Sequence, residues 1–272
     1  TKSDILHKLL MPKNPPKAYK DINFLESDHA RDVRIIAEYE LINSRFEKHN
    51  IKDTITFFGS ARTLSKVVAE KNYKKSLKNK SGIEKTKTDL KMSMYYEKTR
   101  ELSFKLTKWA RKFSKKDQRF VICTGGGPGI MEAANRGAIE AGGKSIGLGI
   151  SLPFEQLNNK YITPGLNFEF HYFFLRKFWG TYPAKATVMM PGGFGTCDEF
   201  MEILTLKQTG KISKPMPIVL FGTDYWNKLI NFNEFVKNGT ISRKDLKLFK
   251  PTNSVNDAFK FITKTLEKKL IR

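Results

Sequence analysis

Cysteine is nearly absent. There are two, Cys123 and Cys197, alongside four scattered histidines, His7, His29, His49 and His171. Two thiols make no disulfide framework, and the chain has neither a C-x-x-C nor an H-E-x-x-H spacing, so no metal centre is expected. Thiol scarcity of this kind fits a reducing, cytoplasmic setting. The G-x-S-x-G at Gly143-Lys144-Ser145-Ile146-Gly147 opens an expected strand and not a strand-to-helix turn, which argues against a serine hydrolase. No apolar run of about 18 residues is present, so neither a membrane span nor a membrane partner is expected. The first residues, Thr1-Lys2-Ser3-Asp4, lack the basic-then-apolar layout of a secretory leader. Acidic residues are also scarce: 27 Asp and Glu face 49 Lys and Arg, a net charge of +22 over 272 residues.

That charge is unevenly placed. Residues 51–118 hold 19 basic and 7 acidic side chains, and residues 211–272 hold 13 and 5, whereas the glycine-rich centre is nearly neutral. A nucleic-acid partner is the sharp reading of such an excess. The basic runs lack the arginines and interleaved aromatics that read or stack on bases, which favours solvated lysine faces and makes nucleic acid the lesser reading.

The order of elements points to an α/β fold. Residues 1–28 read as an irregular arm, and 29–272 as one Rossmann-like nucleotide-binding domain with a Lys-rich insert at about 64–92, an inserted or mobile surface segment. Val33, Ile36, Ala37, Leu41 and Phe46 predict an amphipathic helix over 30–49. Strands are expected at 54–58, 119–123, 145–150, 186–190 and 217–221. Helices are expected at about 92–113, after Pro128, from Phe170 to Trp179, after Glu199, from Tyr225, and from Val255 to Leu270. Residues 151–167 read as a loop. Strands alternating with helices give a modified Rossmann-like, mostly parallel sheet with helices on both faces.

Two glycine blocks carry the chemistry. Pro191-Gly192-Gly193-Phe194-Gly195-Thr196-Cys197-Asp198-Glu199 lies where a buried strand turns into a helix. Free amides and the positive end of the helix dipole meet at such a turn and bind phosphate. Glu199 then stands beside an anion site, an arrangement that glycosidic-bond chemistry explains. Thr196 to Glu199 also satisfies a T-x-x-E capping box, which needs no function. The second block, Thr124-Gly125-Gly126-Gly127-Pro128-Gly129, offers amides at another helix start. It is not the dinucleotide fingerprint, because Ile130 stands where the third glycine belongs. Gly143-Lys144-Ser145 is not a Walker loop either, since Ala138 replaces its first glycine and a strand follows.

The chain resembles the LOG (Lonely Guy) family of cytokinin riboside 5′-monophosphate phosphoribohydrolases, long mislabelled lysine decarboxylases. Four blocks carry the likeness: Phe58-Gly59-Ser60-Ala61-Arg62, Thr124 through Ala138, Phe174-Leu175-Arg176-Lys177, and Pro191 through Glu199. Glu202, Gln208-Thr209-Gly210-Lys211 and Pro217-Ile218-Val219-Leu220 also fit, so the likeness spans roughly residues 54–235. The resemblance implies cleavage of a nucleoside 5′-monophosphate, AMP or an N6-modified AMP, into free base and ribose 5-phosphate without a cofactor. It also implies a homodimer or higher homo-oligomer, with Arg176 and Glu199 as the catalytic pair.

On that reading Glu199 stabilises an oxocarbenium-like sugar and activates water. Glu202, one turn on, orients Glu199 or faces solvent. Gly192, Gly193, Gly195 and Thr196 hold the 5′-phosphate. Arg176 grips the phosphate or the base, or forms a structural ion pair, with Lys177 beside it. Gly125, Gly126 and Gly127, with Thr124 and Met131, form the opposite wall, and Ser60 and Arg62 close the first strand at the same edge. Two other readings stay open. One is a non-catalytic nucleotide-binding or nucleic-acid-associated protein on the same fold. The other is a pyridoxal-phosphate decarboxylase, against which stands that the glycine blocks frame Glu and not Lys.

Overall fold

A computed structural model describes residues 15–113, 117–151 and 158–270. Residues 1–14 of the expected arm and 152–157 of the expected loop lie outside the described residues. The chain divides into two compact units, with the boundary between Leu41 and Ile42. In the first unit the described part of the expected arm is ordered in short turns. These are a 3-10 turn at Ala18–Lys20, helix α1 (Ile22–Glu26) capped by Asp21, and a second 3-10 turn at Asp28–Ala30. The Arg34 guanidinium fastens them by donating to the carbonyls of Leu25 and Ser27, 2.6 Å each. Helix α2 (Arg31–Lys48) forms where its pattern predicts, but of the apolar positions read as one face Phe46 is buried while Val33, Ile36 and Leu41 are exposed.

The second unit is built on seven parallel strands: β1 (Thr54–Phe58), β2 (Val121–Thr124), β3 (Ser145–Ile150), β4 (Asn167–Phe170), β5 (Ala184–Met189), β6 (Ile218–Phe221) and β7 (Lys250–Thr252). Their spatial order is β4-β3-β2-β1-β5-β6-β7, so the chain winds outward from β1 on one side, returns, and winds outward on the other. β1 pairs in parallel with both β2 (Ile55 opposite Ile122) and β5 (Ile55 opposite Ala186). Such a reversal opens a crevice outside the carboxyl ends of the two central strands, here β1 and β5.

Both faces of the sheet are covered, which is why the inner strands read as unbroken apolar runs. Ile55 and Phe57 of β1, Val188 of β5 and Val219 of β6 pack with Leu102, Leu106, Ala134 and Ile262. These come from α4 (Ile83–Ala110), α5 (Ile130–Glu140) and α10 (Val255–Leu270). Alternate residues Phe58, Met189, Ile218 and Leu220 pack with Phe200, Ile203 and Trp226. Those belong to α7 (Phe194–Gln208) and α8 (Thr223–Leu229). Helix α6 (Phe173–Thr181) leads into β5, and α9 (Phe232–Lys237) follows α8. Among the described residues no helix is long and apolar enough to cross a membrane.

The Lys-rich segment is helical. Its residues form helix α3 (Lys66–Asn79) and the first turns of α4, which starts at Ile83 and not near Met92. Ala69 is fully buried, and the hydroxyls of Ser76 and Thr86 meet at 2.7 Å across the hairpin. Small residues therefore hold it, and they leave little apolar periodicity to read.

Candidate active site

Three loops meet at the carboxyl edge of the sheet. The Ser60 amide donates to the Pro191 carbonyl (3.0 Å), and the Ile130 amide donates to the Ser60 carbonyl (3.0 Å). The loop after β1 is thus tied to both glycine blocks. Gly192 is required here by contact: a Cβ would strike the Thr196 hydroxyl and crowd the Ser60 amide. The Tyr225 hydroxyl, from α8, donates to the Gly192 carbonyl at 2.7 Å and holds the loop from the far side. Neither motif nor periodicity marked Tyr225.

Helix α7 begins at Phe194 with Gly193 as its N-cap and no capping side chain. Thr196 therefore lies inside the first turn, and the T-x-x-E capping box expected between Thr196 and Glu199 is not formed. The amides of Gly193, Phe194, Gly195 and Thr196 open the helix without intrahelical acceptors. Gly193 and Gly195 are exposed and Thr196 is buried. Together they make a concave set of donors at a positive helix end, suited to an anion.

One turn deeper, Glu199 points back under this loop. Its carboxylate accepts from the Arg176 guanidinium at 3.2 Å, and the two side chains are 14 % and 16 % exposed. Burial pushes the Glu199 pKa up to about 7; the Arg176 charge opposes this without cancelling it. Arg176 is held by a second bond, from Nε to the Leu148 carbonyl on β3 (2.8 Å). It also passes so close to Gly125 that a Cβ there would overlap the guanidinium and crowd the Met131 sulfur. Lys177 bridges the two helices, with Nζ 3.0 Å from Asp198 and 2.6 Å from Glu202. Burial works to lower the Lys177 pKa, but the hydrogen bonds to Glu202 and Asp198 prevail and raise it.

A cleft lined by Thr124, Gly125, Arg176, Lys177, Glu199 and Glu202 joins these groups, with Thr56, Phe58 and Leu148 as its floor. Gly192, Gly193, Gly195 and Thr196 are not part of that lining; they form a lip of loop and first turn that precedes Glu199 on α7. Ser60 braces that lip, and Arg62 is exposed beside it with its amide on the Ser60 hydroxyl (3.1 Å). Gly126 and Gly127 sit behind Gly125 in a buried polar network. Thr124 Oγ1 donates to Asn135 (2.7 Å) and accepts from the Gly126 amide (2.9 Å), while Asn159 Nδ2 reaches the Gly126 and Gly127 carbonyls at 2.9 and 3.0 Å. Asn159 lies in what read as a plain loop. Glu202 meets Lys177 and not Glu199, so its contact with the pair runs through Lys177.

Among known proteins, the model of a family described as "Possible lysine decarboxylase" matches residues 131–262. No curated protein matches. The fold is similar to the crystal structure of TM1055, at 19 % identity over 78 % of this chain and 99 % of that one, with a TM-score of 0.47. It is similar too to the molybdenum cofactor carrier protein of Chlamydomonas reinhardtii, at 19 % identity over 79 % and 99 %, with a TM-score of 0.48. The molybdenum cofactor binding protein of Rippkaea orientalis stands at 18 % over 64 % and 88 %, with a TM-score of 0.40. Likenesses this distant bear on neither ligand nor activity. The matched stretch takes in Arg176 and the Pro191–Glu199 block, and it supports the resemblance to the LOG family, the group behind the description "possible lysine decarboxylase".

Proposed function

We propose that the protein hydrolyses the N-glycosidic bond of a nucleoside 5′-monophosphate, AMP or an N6-modified AMP, to free base and ribose 5-phosphate. The observation that carries this reading is a buried carboxylate, Glu199, in the second turn of a helix whose first amides are open donors. Phosphate at Gly193–Thr196 would bring the ribose over Glu199. As the C1′–N bond breaks, its electron pair leaves with the base and positive charge grows on the sugar. An ionised Glu199 stabilises that charge and takes a proton from the water that adds to C1′, and the proton passes on to the departing base nitrogen. Arg176 fixes the carboxylate and offers its remaining donors to phosphate or base.

Decarboxylation through a lysine Schiff base has poorer support. That chemistry needs a lysine that readily loses its proton. The lysine of this cleft, Lys177, is held charged between two carboxylates.

The test is release of ribose 5-phosphate from AMP and from isopentenyl-AMP. Wild type is expected to release it, and Glu199→Gln to lose about 100- to 10,000-fold in kcat. No release by a well-folded wild type would leave a nucleotide-binding protein without this chemistry. Nucleotide monophosphate as substrate and a homo-oligomeric state are parts of the same proposal.

A further inference from the structure

We propose that the α3–α4 hairpin is a docking surface for the phosphodiester backbone of a nucleic acid. Read as sequence, its lysines look like ordinary solvated charge; the structure arranges them. Lys71, Lys74, Lys75 and Lys78 stand at i, i+3, i+4 and i+7 of α3 and are all exposed, so they share one face. The opposite face carries the buried Ala69 and Ser76 and packs on α4. Lys80 at the turn, and Lys87 and Lys91 on the first turns of α4, are exposed as well. Of the three carboxylates between Lys66 and Lys91, Glu70 lies 3.8 Å from Lys66 and Asp89 lies 3.0 Å from Lys85. Among the described residues, none of those seven lysines forms an ion pair.

Like charges three and four residues apart weaken a helix, so this stripe works against the element that bears it. A polyanion relieves that repulsion. The chemistry favours a phosphate backbone over a lipid surface. A helix lying in a membrane interface needs a continuous apolar face with bulky side chains, and α3 exposes only Val67, Val68 and Leu77 among its lysines. With no arginine and no exposed aromatic on α3, the contact tracks phosphates and leaves bases unread. The hairpin leaves the sheet directly after the loop holding Ser60 and Arg62, so it stands at the carboxyl edge that also carries the glycine loops. The inference does not depend on the proposed hydrolase activity.

The test is fluorescence anisotropy of a labelled random DNA duplex of about 20 base pairs with the full chain, from about 50 to 200 mM salt. Binding is expected to weaken with salt along a linear log–log slope. Lys71→Gln/Lys74→Gln/Lys78→Gln should flatten that slope by about 2.7, from roughly 0.9 per lost phosphate contact. Lys211→Gln/Lys244→Gln/Lys247→Gln removes as many charges elsewhere and should leave the slope unchanged. Circular dichroism checks that α3 survives, as glutamine is a good helix former. The proposal is overturned by no binding at about 50 mM salt, or by equal flattening in both variants. It is equally overturned if the hairpin variant loses only its binding to vesicles rich in anionic phospholipid.

Discussion

In the proposed reaction Glu199 is the residue on which the chemistry turns, and its burial has a cost that can be measured. Its folded pKa of about 7 lies above the ordinary glutamate value. Between the two values the folded protein binds more protons than the unfolded chain. The stability this side chain contributes is therefore fully present below the unfolded pKa and is lost as pH rises through about 7. Glu199→Gln removes the titration. In thermal melts the variant should be the more stable protein at pH 8, by at most about 3 kcal/mol, and the gap should close toward pH 4. A group kept ionisable against its environment for the sake of catalysis gives this pattern, and a surface ion pair does not. For the reaction the sign reverses. The ionised form does the work, so kcat/KM should climb with pH to a plateau above about 7, and an assay across pH 5–9 reads that limb.

At the scale of elements, the glycine loop after β2 depends on Asn135 of α5. Its amide accepts from Thr124 and Asn159 and donates to the Ser145 hydroxyl (2.5 Å) and the Ile146 carbonyl (3.1 Å), in full burial. Asn135→Ala should lower stability by on the order of 3 kcal/mol in urea unfolding, with the m-value unchanged, because several buried groups lose their partners together. Motif reading found the two glycine loops and the strands that feed them, since phosphate turns and buried parallel strands have strong local signatures. Strands β4 and β7 escaped it. β4 has four residues with alternate burial, Asn167 and Glu169 outward, next to an aromatic run that reads as helix. β7 has three residues and holds Pro251, which a sheet tolerates at its edge. Arg176 and Glu199 lie 23 residues apart and meet only because α6 and α7 flank β5. No spacing rule contains that meeting; the family resemblance supplied it. Tyr225 acts through one hydrogen bond to a loop carbonyl and Asn159 through bonds to two, which leave no trace in a pattern.

For the whole molecule, the open question is what covers the surface around the cleft. Phe173 and Phe174 are 53 % and 56 % exposed on the helix that carries Arg176, and Phe194 is 97 % exposed at the start of α7. Clustered aromatics of this kind mark contact surfaces. Together with the family resemblance they lead us to expect a homodimer. Sedimentation equilibrium should give the mass of at least two chains, and Phe173→Glu/Phe174→Glu should shift it toward one. A monomeric wild type at micromolar concentration would refute the expectation.

The winding of the sheet also sets a schedule. β1 lies in the middle, yet its neighbour β5 is made roughly 130 residues later. At a synthesis rate of about 5–20 residues per second, one flank of β1 waits on the order of ten seconds for its partner. Through that interval the nascent chain presents an apolar strand edge capable of pairing with any other strand it meets. The crevice between β1 and β5 that holds the cleft is the same seam, so the candidate site cannot take shape before β5 and α7 have been made.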